Sequence, residues 1–206
     1  MPKVSDSYKD TRRAEILEAA QRCFLRDGFH GTSMQNLFDE SGLSSGAVYR
    51  YFPGKEALII ALAEYRMRET LDIVHTAASD IRGRSIGEMI TELISLLGMR
   101  DAKDGFARLA VLIWAESVHN QKLREALSEL FAQLRSELTG IVRKHQQAGT
   151  LPAEVAAEAL ADGVFSSLTG YVLQLAVLGP QSISGAANAL HALYPQTLPV
   201  DFTPAE

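Results

Sequence analysis

The residues with most to offer a binding partner lie close together in the first quarter of the chain. They are Thr32 and Ser33, then Ser44, Ser45, Gly46 and Ala47, then Tyr49, Arg50, Tyr51 and Lys55. Ser44 to Ala47 are small and largely polar, so they can approach a surface closely and present hydroxyls and backbone N–H groups. Tyr49, Arg50 and Tyr51 are long donors that would be expensive to satisfy in an apolar core. Opposite a polyanion such as duplex DNA they meet phosphate oxygens and base edges instead. Lys55 stands where a helix is expected to begin, and a helix N-terminus favours a phosphate through its free N–H groups and dipole. Thr32 and Ser33 occupy the same kind of place at the start of an earlier helix.

Other chemistry is poorly supported. The five histidines, His30, His75, His119, His145 and His191, are scattered, and none has a second histidine or a carboxylate at zinc-binding spacing. There is no glycine-rich phosphate loop, and Cys23 has no context that marks a nucleophile. We expect no catalytic residue, no metal site, no cofactor and no enzymatic activity. Cys23 and His145 both continue apolar helical faces, which suits packing better than reactivity.

Helical periodicity dominates the elements that must position these residues, and no stretch alternates like a strand. The pattern predicts an all-α chain of nine helices. The first spans about Thr11 to Arg26 and ends at Gly28; the second spans about Ser33 to Ser41, with Thr32 and Gln35 at capping-box spacing. Gly42-Leu43-Ser44 is a tight turn, Ser45 to Tyr51 a short helix, and Pro53-Gly54 a break before a long helix from about Lys55 to Ile81. Ser85 and Glu88 open a helix to about Met99, and Asp104 is a candidate cap for the next. Leu123, Leu127, Leu130, Leu134, Leu138, Ile141 and His145 form one apolar stripe of a long helix stopped by Gly149. Pro152 suits the first turn of a helix reaching Leu178, and a last one covers about Ile183 to Tyr194. Helix, tight turn, helix over residues 33 to 51 is the layout of a helix-turn-helix, though periodicity alone leaves an ordinary helical hairpin open.

Hydrophobic residues make up 47% of the 206 and charged residues 22%, which provides ample material for a core. The net charge of −5 is acidic for a DNA binder. Residues 1 to 58 hold eight Lys/Arg against eight Asp/Glu, so the acidity belongs to the remainder, with twelve against seventeen. Charge therefore does not by itself point to nucleic acid. A single cysteine permits no internal disulfide, in keeping with a cytoplasmic protein. No signal peptide is evident at the N-terminus. Ala159 to Leu178 is apolar, but it contains Asp162, Gln174 and several Ser, Thr and Gly residues, so burial between subunits is expected rather than a membrane.

Thr11-Arg12-Arg13, Ile16-Leu17, Ala19-Ala20, Phe24, Gly28-Phe29, Thr32-Ser33-Met34, Gly42-Leu43-Ser44, Gly46, Tyr49, Tyr51-Phe52, Lys55-Glu56 and Leu58 resemble, in order and spacing, the start of TetR-family transcriptional regulators. The resemblance implies a nine-helix TetR-like fold: a flexible arm over residues 1–10, a helix-turn-helix domain over 11–58, a ligand-binding and dimerisation domain over 59–195, and a tail over 196–206. It implies that Ser45, Gly46, Ala47 and Arg50 read or approach bases and that Thr32, Ser33, Tyr49, Tyr51 and Lys55 grip phosphates. Two positions depart from the family pattern. Leu37-Phe38 replaces the usual Ile-Ala, so a bulky Phe38 must pack somewhere, and Pro53-Gly54 replaces polar residues.

The same resemblance implies a repressor that binds a pseudo-palindromic operator as a homodimer and is released by a small, largely apolar effector. An activator, or a regulator without an effector, is the alternative within the class that sequence leaves open. Outside the family, the rival is a helical adaptor that binds only protein, which would have no use for Tyr49-Arg50-Tyr51 with Lys55. Phe165, Leu168, Tyr171, Val172, Leu175, Ala187 and Leu190 are the candidates for the dimer interface. Tyr65, Met89, Leu93, Phe106, Leu109, Trp114 and Phe165 are candidates to surround the effector, with Glu116, His119 and Gln174 as polar anchors. Trp114-Ala115-Glu116 followed by His119-Asn120 resembles the body of a subgroup that includes betaine-responsive repressors.

Overall fold

The computed structural model describes residues 6–79, 83–183 and 185–193. Nine α-helices and one short 3-10 turn make up the described elements, with no β-strand among them. They are α1 (Asp6–Gly31), α2 (Met34–Ser41), α3 (Ser45–Tyr49), α4 (Lys55–Ser79), α5 (Ile86–Asp104), α6 (Phe106–Ser117), α7 (Gln121–Gln147), α8 (Ala157–Leu178) and α9 (Ala186–Leu193). The chain divides into two compact units. The first comprises Met1–Arg66 with Leu112–Leu127, and the second Met67–Val111 with Ser128–Glu206.

In the first unit α1 begins at Asp6, earlier than the expected Thr11. Contacts at helical spacing extend it: the Arg12 guanidinium donates to Glu15 at 2.6 Å and to the Tyr8 hydroxyl at 3.1 Å. Ile16, Leu17, Ala20, Cys23 and Phe24 form its buried face. Burial also pushes the Cys23 thiol up, away from the reactive thiolate. At Gly28 the backbone turns to φ 71°, which breaks the helix as its sequence position predicts.

The cap of α2 differs from expectation. Ser33, not Thr32, is the N-cap, and its partner is Asn36, not Gln35; the Asn36 side chain accepts from the Ser33 N–H at 2.8 Å. Thr32 is turned inward and buried, and its hydroxyl donates to the Gly28 carbonyl at 2.8 Å. The α2 helix ends on Gly42 at φ 66°, a left-handed conformation costly for any residue with a Cβ. Gly42→Ala is expected to destabilise the first unit by about 1–2 kcal/mol, read as a lower urea midpoint. No atom lies within 4 Å of the added Cβ, so the cost is conformational rather than steric.

In the second unit α5 opens on the Ser85/Glu88 capping box, as expected. Ile86, Ile90, Leu93, Ile94 and Leu97 are buried on it, and it packs against α8 and α9. The start of α6 is held by Asp101, whose carboxylate accepts the Ala107 N–H at 2.8 Å; Asp104, the expected cap, is instead the last residue of α5. Within this unit the α7 stripe is buried at Leu134, Leu138, Ile141 and His145 and half-buried at Leu130, while Leu123 and Leu127, also buried, belong to the first unit. Helix α8 starts at Ala157 and not at Pro152. The Gln146 amide donates to the carbonyls of Pro152 (2.8 Å) and Val155 (2.7 Å), and this holds the segment as a turn.

Helix α8 is long and apolar enough to cross a membrane by length and composition. Val164, Phe165, Leu168, Tyr171, Val172 and Leu175 are nevertheless buried inside the unit. A buried core helix passes the same length and composition test.

Candidate nucleic-acid interface

Helix α3 is short, and its placement depends on a few anchors. Ser44 caps it, the hydroxyl accepting from the Ala47 N–H at 3.3 Å. Val48 is fully buried and Phe52 is 3% exposed, so the helix is pinned through one face. The N–H groups of Tyr51 and Phe52 both donate to the Val48 carbonyl, at 3.0 Å each, and continue the turn beyond α3. Ser44, Ser45, Gly46, Tyr49 and Arg50 are exposed, while Ala47 and Tyr51 are half-buried. An apolar inner face with a small, polar outer face is what insertion into a major groove requires.

The Phe38 departure has a local answer. Its ring meets that of Tyr49 edge to face, with centroids 5.5 Å apart. This contact steadies the aromatic stem of Tyr49 while the residue remains 47% exposed.

Lys55 has a second task besides the expected phosphate contact. Its ammonium donates to the carbonyls of Phe29 (2.8 Å) and Thr32 (3.0 Å), fastening the α1–α2 turn to the start of α4. Thr32 contributes a buried hydroxyl to the same turn, so its side chain is not presented to a partner. Ser33 remains exposed, with its hydroxyl serving the α2 cap. Lys55→Ala is expected to lower the stability of the first unit by about 1–2 kcal/mol, because two carbonyls lose a charged donor. It is also expected to weaken binding to every DNA sequence alike. Parallel melting and random-duplex titrations check both, and an unchanged melt with altered base preference would refute this account.

The expected effector residues are shared between the two units. Met89, Leu93, Phe106, Leu109 and Phe165 are buried in the second unit, whereas Tyr65, Trp114, Glu116 and His119 belong to the first. None of the three expected polar anchors is a buried anchor. Gln174 is exposed on α8, with its amide directed to the Gly170 carbonyl. His119 is exposed, and Glu116 lies 3.4 Å from His30.

Among the polar groups that reach the second unit's interior are Arg100, Tyr171 and His145. The Arg100 guanidinium, with its side chain 9% exposed, pairs with Glu69 at 2.5 Å and stacks 4.3 Å from the centre of the Phe106 ring. Its sequence signal is that it continues the Leu93–Leu97 spacing of the apolar stripe. Burial and the nearby Asp101 carboxylate raise the Tyr171 phenol above its usual range.

The expected dimer residues Phe165, Leu168, Tyr171, Val172 and Leu175 point into the protomer and are core. The opposite side of α8 carries the exposed apolar residues Leu173, Val177 and Leu178. A helix apolar nearly all round has two such sides, and sequence does not say which one the chain itself covers. The side chains of Ala187 and Leu190 lie outside the described residues, as do the tail over 196–206 and the first five residues of the arm.

An all-helical chain with a capped helix-turn-helix, its second helix pinned by Val48 and polar outside, defines a DNA-binding transcriptional regulator. The family model for bacterial regulatory proteins of the tetR family matches residues 16–62, and that for the C-terminal region of BetI-type transcriptional repressors matches residues 87–195. The chain belongs to the TetR family.

Among its relatives is the HTH-type transcriptional repressor Rv1474c of Mycobacterium tuberculosis, 32% identical over 178 residues, covering 85% of this chain and 88% of that one. The uncharacterized HTH-type regulator YfiR of Bacillus subtilis is 35% identical over 141 residues, which is 66% of this chain and 68% of YfiR. GusR of Salmonella enterica superposes with a TM-score of 0.72 at 25% identity, over 94% of this chain and 100% of its own. FadR of Bacillus subtilis, solved with stearoyl-CoA, has a TM-score of 0.73 at 20% identity, over 87% of this chain and 96% of its own, and shares the fold.

Proposed function

We propose that this regulator is a cytoplasmic repressor that binds a pseudo-palindromic operator as a homodimer and leaves it when a small, largely apolar effector binds. The observation that carries the DNA-reading part is the fixed position of α3, buried at Val48 and exposed at Ser44, Ser45, Gly46, Tyr49 and Arg50. In this reading Ser45, Gly46, Ala47 and Arg50 approach bases, while Ser33, Ser44, Tyr49, Tyr51 and Lys55 hold backbone phosphates. Thr32 contributes by shaping the turn.

Dimerisation is supported by geometry. Two recognition helices about 34 Å apart meet successive major grooves on one side of the duplex. The exposed apolar side of α8, with Leu173, Val177 and Leu178, offers a surface for a second copy. Residues 11–58 supply the reading head and residues 59–195 the sensing and pairing body. The buried Met89, Leu93, Phe106, Leu109 and Phe165 give the body an apolar interior suited to an apolar effector. The FadR neighbour, with stearoyl-CoA, illustrates the fold holding an acyl ligand. Release requires that the effector prefer a dimer whose heads are wrongly spaced, because equal affinity for both states shifts nothing.

The test is selection of bound fragments from a random duplex library by the purified protein at near-physiological salt. Enrichment of a pseudo-palindrome supports the reading and supplies a probe for effectors that cause release. Absence of any enriched sequence, with salt-insensitive binding, would sink it.

A further inference from the structure

The five arginines of residues 6–55 divide by partner. Arg12 is paired with Glu15, Arg22 and Arg26 share Glu40, and Arg26 also meets Asp27. These cations are neutralised within the protein. Arg13 and Arg50 have no carboxylate partner among the described residues. Arg50 sits at the end of the recognition helix, exposed, where a base or phosphate can reach it.

Arg13 is different, because its place is fixed. It lies in the third turn of α1, half-buried, with its guanidinium 5.3 Å from the centre of the Phe52 ring. Phe52 is 3% exposed and follows directly on Tyr51, and its own N–H is bonded to the Val48 carbonyl. Arg13 is thus held against the segment that leaves the recognition helix. The neighbouring Arg12, by contrast, is engaged by Glu15 and the Tyr8 hydroxyl on α1 itself. A cation–π contact favours a guanidinium position over the ring face and leaves its N–H groups to be satisfied by something else. A cation that is half-buried and in place, with no anion of its own, suits an oxyanion that arrives with the partner.

We propose that Arg13 grips a backbone phosphate of operator DNA in the same binding event that seats α3, which adds α1 to the DNA-contacting surface. The proposal rests on the DNA-binding reading and deepens it. The phosphate belongs to duplex DNA because the ring that places Arg13 is continuous with the recognition helix. The contact adds affinity and salt dependence and carries no base preference.

The experiment measures the affinity of the full-length protein for its selected duplex over about 50–200 mM salt, where each phosphate contact contributes a slope of about 0.9. Arg13→Gln is expected to make the slope shallower by about 0.9 per subunit, with an unchanged ranking of operator variants. Arg13→Lys keeps the charge and is expected to retain the slope.

If Arg13→Gln fails to fold, the protein side is left intact and the DNA is altered. Single neutral methylphosphonate substitutions are placed outside the selected half-site bases. One such position per half-site is then expected to weaken the wild-type protein about fourfold at the higher salt. A steep wild-type slope that Arg13→Gln leaves unchanged, or the absence of any such flanking phosphate, overturns the role of Arg13 alone. A flat wild-type slope overturns the DNA-binding reading as well.

Discussion

Arg50→Ala is expected to weaken binding to the selected operator by about 1–3 kcal/mol per half-site, the range of a bidentate contact with a base edge. With two half-sites engaged, this is the largest effect of any single substitution considered. Arg50 is exposed at the C-terminal end of α3, its N–H bonded to the Gly46 carbonyl, with no carboxylate partner among the described residues. Truncation therefore removes little from the folded protein, and the melting temperature is expected to stay near wild type. Affinity for random duplex should fall far less than affinity for the operator. A loss of equal size on both would mean that Arg50 holds phosphate and reads no base. Arg50→Lys separates these possibilities, because it keeps the charge and loses the planar fork that matches guanine.

The second large effect is on stability under acid. His145 is 1% exposed near the end of α7, and burial lowers its pKa to about 4 from 6.5. The Thr150 hydroxyl donates to the His145 carbonyl at 3.0 Å, so its oxygen is left to accept from ring Nδ1 at 2.8 Å. Burial keeps the ring neutral, and this bond places its proton on Nδ1.

In the unfolded chain the same imidazole takes up a proton near 6.5. The folded pKa is depressed below the unfolded one, so the unfolded state binds more protons between the two values. The contribution of His145 is fully present above about pH 6.5 and is lost as the pH falls towards about 4, a change of about 3 kcal/mol at about 1.4 kcal/mol per unit. Urea unfolding at pH 7 and pH 4.5 measures it. His145→Gln is expected to be less stable at pH 7 but to lose less on acidification. If both proteins lose stability equally, His145 is not the group responsible.

Much of the first unit was legible in the sequence, because its signals are local. Gly28 and Gly42 sit where the chain must turn, Ser44 precedes α3, and the apolar residues of α1 recur at helical spacing. The capping detail was not legible. Thr32-Ser33 followed by Gln35-Asn36 contains two boxes in adjacent registers, and the inward turn of Thr32 towards the Gly28 carbonyl selects the second. The second role of Lys55 was not legible either, since nothing near it in sequence announces the carbonyls of Phe29 and Thr32.

The second unit divides in the same way. The α5 capping box and the α7 stripe are periodic and were readable. The start of α8 was not, because the Gln146 amide reaches across the turn to hold Pro152 and Val155 out of the helix. Sequence also placed Phe165, Leu168, Tyr171, Val172 and Leu175 on an α8 surface awaiting a second copy, whereas they are this protomer's own core. By itself, then, the sequence determined the family, the order of the helices and the residues of the reading helix, all of which follow from spacing along one chain. Only the tertiary structure decided which side of α8 is covered, that Arg100 is a buried cation, and that Arg13 lies against Phe52 with no carboxylate partner among the described residues. Burial and pairing are relations between segments distant in sequence, and no local pattern encodes them.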